Sequence, residues 1–118
     1  MSTLVVVPKQ RFEKTWFLES AGNAEDDPVH KTKVALTITA VDTILRGTTP
    51  SVTWAVRHAT DRNAAGTLIA SGTSTSTTTG HTAAVSVSVP ADSFIWLETS
   101  AQSGTVLSFA ATVVGVEA

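Results

Sequence analysis

Apolar and polar positions alternate along much of this chain with the two-residue period of a half-buried strand. The pattern is cleanest toward the end. Val85, Val87 and Val89 alternate with Ser86 and Ser88, and Asp92 and Glu98 are the only charges between Val85 and Val116. Pro90-Ala91-Asp92-Ser93 has turn composition, Phe94 to Thr99 reads as the next strand, and Gln102-Ser103-Gly104 reads as a three-residue connection. Gly104 supplies the left-handed residue that such a connection requires. Thr105 to Val116 then returns as a strand rich in β-branched residues. Its alternation predicts Leu107, Phe109, Ala111 and Val113 on a core face. Val106, Ser108, Ala110, Thr112 and Val114 fall on the opposite face, small enough for a plain sheet surface or a subunit interface.

Upstream, Thr3 to Val7 is a short extended segment ended by Pro8, and Phe12 to Glu19 carries the aromatic cluster Trp16-Phe17-Leu18. Gly22 to Lys33, with Glu25-Asp26-Asp27, Pro28 and His30, reads as an exposed loop. Val34, Leu36, Ile38 and Ala40 alternate with Thr37 and Thr39, and the phase slips near Val41 to Leu45, as at a bulge or bend. Arg46 to Pro50 reads as a turn, and Val52, Trp54 and Val56 line one face of the strand that follows. Ala59 to Gly66 is a polar loop with room for one helical turn, and Thr67 to Ala70 is a short strand. The Ser/Thr/Gly tract from Ser71 to His81 reads as a hairpin tip or surface loop. No segment shows a 3.6-residue period. The count predicts an all-β fold: a single antiparallel β-sandwich of about seven or eight strands, with a jelly roll as one form, preceded by an extended N-terminal segment. One domain is expected overall, residues 34–118 forming the body and residues 1–33 an arm and loop that packs on it or docks from it.

Composition narrows the function classes. The chain has 118 residues, no cysteine and a net charge of -2. Absence of cysteine removes disulfides, thiolate nucleophiles and cysteine-ligated metals. The charge balance argues against nucleic acid as a partner, which demands a clustered basic patch. No apolar run approaches the roughly 20 residues of a membrane-spanning helix. Leu4 to Val7 is too short for the core of a signal peptide, so export by that route is not expected. Ser and Thr make up 32 residues against 15% charged residues, a balance suited to close protein contact in an assembled structure, and equally to a sandwich with a Thr-rich solvent face.

Candidate catalytic groups do not converge. His30, His58 and His81 lie in or beside predicted loops and none has metal-ligand spacing, although His58 with Asp61 and His81 would be the set to check. There is no G-x-S-x-G elbow, Gly66, Gly72 and Gly80 form no phosphate cradle, and Asp26 with Asp27 suits a solvated loop better than acid–base work. The expectation is a protein that is not an enzyme and carries no cofactor or metal. Trp54 and Trp96 are predicted core residues, whereas Trp16, beside Phe12 and Phe17, is a candidate anchor for a partner.

The run Trp54 to Arg62, the Gly66-led strand, the Ser/Thr tract to Gly80, and Val89 to Glu98 followed by Ser103-Gly104-Thr105-Val106 resemble small virion proteins of tailed bacteriophages. They look in particular like head decoration (cement) or head-fibre proteins, over roughly Val52 to Val114. The resemblance implies a compact β domain, often a homotrimer, seated on the outer capsid surface and clamping the major capsid protein in its mature lattice. Phe12, Trp16, Phe17 and Leu18 would then serve a docking segment, Thr3 to Leu18, and Val106, Ser108, Ala110 and Thr112 an oligomer interface. Two other readings stay open: a tail, baseplate or fibre component, and a non-catalytic carbohydrate-binding module marked by an exposed aromatic row.

Overall fold

The computed structural model describes residues 10–19, 26–61, 63–75 and 80–118. Its strands are β1 (Arg11–Glu19), β2 (Asp26–Thr32), β3 (Leu36–Ala59), β4 (Thr67–Thr75), β5 (His81–Val89) and β6 (Ser93–Glu117). Every pairing is antiparallel. The long strands β3 and β6 run alongside each other from Leu36 with Glu117 to Ala59 with Phe94. They organise everything else.

At one end of this ribbon β1 joins the late half of β6 and β5 joins the early half of β3, giving the order β1-β6-β3-β5. At the other end β2 joins the early half of β6 and β4 the late half of β3, giving β2-β6-β3-β4. Eight strand stretches thus form two four-stranded blocks with the connectivity of a jelly roll, in which two corners are drawn out as continuous strands. The blocks share one core, from Trp16, Ile38, Val41, Leu45 and Phe109 in the first to Val52, Trp54, Val56, Ile95 and Leu97 in the second. A buried polar bridge crosses between them: Trp54 Nε1 donates to Ser74 Oγ at 3.0 Å, and Ser74 Oγ meets Thr43 Oγ1 at 2.8 Å.

The all-β antiparallel expectation holds, and several boundaries differ for one physical reason. Arg46 to Pro50 and Gln102 to Gly104 are not turns ending strands; they are facing bulges within β3 and β6. Gly47 and Gly104 both have positive φ, at 154° and 68°. A Cβ on Gly104 would fall 2.0 Å from the Thr49 carbonyl oxygen, and one on Gly47 would fall 1.9 Å from that of Thr105. Glycine here permits the close backbone approach through which the ribbon passes from one block to the other.

The same bulges correct the face assignment in the last strand. Arg46 pairs with Ser108 but Gly47 pairs with Val106, so Leu107 is the extra residue and the alternation changes phase there. Phe109, Ala111 and Val113 are core as expected, while Leu107 is exposed and Val106 is buried. Asp26–Thr32, expected as loop, is an edge strand whose register shifts between Asp27 and His30, the place where Pro28 can be tolerated. Residues 11–19 are likewise an edge strand integral to the first block. The expected segment Thr3 to Val7 lies outside the described residues. Of the Ser71 to His81 tract, residues up to Thr75 belong to β4, and β4 and β5 pair with β3 on different stretches and not as a hairpin with each other.

Candidate interaction surface

The two blocks present different outer faces. On the second block, hydroxyls pair across strands: Thr53 with Thr73 at 3.0 Å and Ser51 with Thr75 at 3.2 Å. Each such pair engages one hydroxyl donor across the strands, and together they account for part of the Ser/Thr enrichment. Beside them Trp96 points outward on β6 yet is fully buried, because Gly66 lies across its ring. Its Nε1 donates to Glu98 Oε2 at 3.1 Å, and Arg57 Nε donates to Glu98 Oε1 at 2.9 Å, so both carboxylate oxygens are engaged.

The outer face of the first block carries apolar side chains instead. Phe17 on β1, Ala110 on β6 and Ile44 on β3 stand in one cross-strand row. Phe17 is 60% exposed and Ile44 47%. Their inward neighbours Trp16, Phe109, Thr43 and Leu45 are buried, so strand alternation alone forces Phe17 and Ile44 outward. One step along the strands the row is Thr15, Thr112 and Asp42, with the Thr15 and Thr112 hydroxyls 2.8 Å apart. Beyond Ile44 on the other side, Arg46 stands opposite Ser108. A depression of about 330 Å³ adjoins the row, bordered by Asp42, Ile44, His81, Thr82 and Ala110.

The sequence-derived candidates divide accordingly. Among the four docking candidates, Trp16 is a core residue at 1% exposure, and Phe12 and Leu18 pack against the core; Phe17 alone faces solvent. Trp16 is therefore removed as a surface anchor: β1 pairs along its whole length with β6, which turns that ring inward. Of the interface candidates, Ser108, Ala110 and Thr112 share the outer face, whereas Val106 lies inside the bulge and is buried. Ile44, Asp42 and Arg46 were missed by sequence reasoning, since the phase of their strand was ambiguous; the alternation around Ile38 would have flagged them once the bulge between Ile38 and Ala40 is allowed for.

The histidines do not assemble a site. His58 is buried, and burial lowers its pKa. His30 stacks obliquely on Phe12 at 5.4 Å, and its pKa is lowered by burial and then by the charge of Lys14. Asp61 accepts the Asn63 backbone N–H at 2.9 Å and so closes its own turn. Ser93 Oγ, beside His58 at a groove of about 470 Å³, makes no hydrogen bond among the described residues. No group of three His, Cys, Asp or Glu side chains that could hold a metal occurs among the described residues.

No family model matches the sequence, and neither does any curated protein. Among solved structures, two from infectious bursal disease virus, of the Gx and the Gt strain, align with the chain at a TM-score of 0.43 and 9% identity. The alignments cover 94% and 92% of this chain but 34% and 32% of the matched chains, so the chain spans about a third of their length.

Proposed function

We propose that this chain is a structural virion protein that binds the outer surface of a capsid and stabilises the mature lattice, acting through surface contact and not through catalysis. The observation that carries the reading is the outer face of the first block. There a large aromatic and a branched aliphatic side chain stand exposed in one row with Ala110, amid Thr and Ser, on paired antiparallel strands. Apolar side chains displayed together on a pre-ordered surface are what a protein partner can desolvate at little conformational cost. The jelly-roll connectivity and the hydroxyl-rich composition fit a module that works by packing against neighbours. A decoration role adds stability by mass action, since the protein binds the mature lattice and not its precursor.

Of the rival readings, a tail or baseplate component shares these features. A carbohydrate-binding module fits less well: Trp16, Trp54 and Trp96 are all buried, which leaves no tryptophan row for sugar rings. The reading is tested with particles assembled without this chain. Adding the purified protein should raise the temperature at which they release their genome, and it should sediment with them. Particles that neither bind the protein nor gain thermal resistance would contradict a decoration role.

A further inference from the structure

We infer that the outer face of the β1-β6-β3-β5 sheet pairs with the same face of a second copy of this chain, about a two-fold axis that runs across the strands through the row of Phe17, Ala110 and Ile44. The inference rests on the reading of the chain as a module that works by surface contact, and it assigns this face to the contact between copies, so that attachment to a particle uses surfaces outside it.

The argument is the charge pattern around that row. Along β3, Asp42 lies two residues to one side of Ile44 and Arg46 two residues to the other, and all three are exposed. Strand alternation places them on one face. A two-fold rotation about the row exchanges the two ends of the strand, so Asp42 of each copy comes opposite Arg46 of the other. The same operation sets Phe17 against Phe17 and Ile44 against Ile44, and brings Thr112 over Ser108. Opposite charges placed symmetrically about an apolar centre make the face complementary to itself, as an isologous interface requires. A plain solvent face needs no such symmetry.

Shape agrees with charge. Ala110 at the centre, with Thr112 and Ser108 beside it, lets two sheets approach to the roughly 10 Å of face-to-face packing. Four strands about 4.8 Å apart, with β1 contributing nine residues at a rise of about 3.3 Å, give a footprint of roughly 20 by 30 Å. That approaches the ~800 Å² per partner of specific complexes. The outer face of the second block exposes Leu68 beside Arg57 but no row of apolar side chains like this one among the described residues, so the contact has one side and closes at two copies.

The test is sedimentation velocity on the full chain from low to high micromolar concentration, with far-UV circular dichroism as the check on folding. The wild-type chain should dimerise, and Ile44→Arg should remain monomeric with an unchanged spectrum; Phe17→Ser serves the same purpose should the arginine disturb the sheet. Asp42→Arg and Arg46→Asp should each weaken the dimer by about tenfold or more by placing like charges opposite each other. The double exchange, Asp42→Arg with Arg46→Asp, should restore it, an outcome specific to this axis. A monomer at all concentrations, a trimer, a dimer indifferent to Ile44→Arg, or a double exchange that restores nothing would overturn the inference. A wild-type chain that is monomeric at all concentrations yet associates with particles overturns the second copy alone, and a wild-type dimer that never associates with particles overturns the decoration reading alone.

Discussion

Ser74→Ala should be among the most informative single substitutions in the core, because one hydroxyl there serves two buried partners from different blocks. Ser74, Thr43 and Trp54 are each about 2% exposed. Removing the hydroxyl leaves the Trp54 indole N–H, which donates to it at 3.0 Å, without that acceptor in a place water does not reach. An orphaned buried donor costs ~1–3 kcal/mol, and the Thr43 hydroxyl, at 2.8 Å, loses a neutral hydrogen bond of about 1 kcal/mol. The expected loss is therefore about 2–4 kcal/mol, a large share of the 5–15 kcal/mol or so typical of a domain. Urea unfolding followed by far-UV circular dichroism measures it without relying on the fluorescence of Trp54. Trp54→Phe removes the donor itself, so in the Ser74→Ala background it should cost less than in the wild type, with a coupling of about 1–2 kcal/mol. A Ser74→Ala loss below about 0.5 kcal/mol, or strict additivity of the two changes, would refute the bridge as a link between the blocks.

Further outcomes follow from the same structure. Gly104→Ala should destabilise the chain by about 2 kcal/mol or more, from left-handed strain of ~1–2 kcal/mol together with the clash on the Thr49 carbonyl. Gly72→Ala, whose Cβ would meet the Trp54 ring at an ordinary 3.5 Å, should be tolerated; equal urea midpoints for the two variants would contradict the facing-bulge account. Acidification should also weaken the fold. His58 and His30 have folded-state pKa values lowered below the ordinary value of 6.5, so the unfolded chain takes up protons first. The stability they contribute is complete above 6.5 and is lost as pH falls through 6.5 toward their folded values. His58→Gln should flatten the pH dependence of the urea midpoint, and an unchanged slope would show that this buried ring does not titrate on unfolding.

Much of this architecture was legible in the alternation of residues, and the exceptions share a cause. The core positions Val52, Trp54 and Val56, and Phe109, Ala111 and Val113, follow directly from period-2 alternation, because each strand buries one face. Gly104 was visible as a left-handed position, and Gly47 as part of a turn. A bulge and a hairpin turn demand the same residue types, however, and only the partner strand decides which one forms. The phase change at Leu107 is hidden for that reason, and with it the true inner position of Val106. The strand at Asp26–Thr32 is disguised by its acids and Pro28, which an edge position accommodates. In the Trp16-Phe17-Leu18 cluster both aromatics were candidate surface groups: pairing with β6 buries Trp16 and leaves Phe17 outside.

The copy number of this chain in purified virus particles, measured by quantitative peptide mass spectrometry against the major capsid protein, tests the proposed virion role most directly. The decoration account predicts an abundance near a simple lattice ratio to that protein, with the chain on the outside and removable without disassembly. A handful of copies per particle would place it in a tail or vertex structure, and complete absence would contradict a virion role altogether.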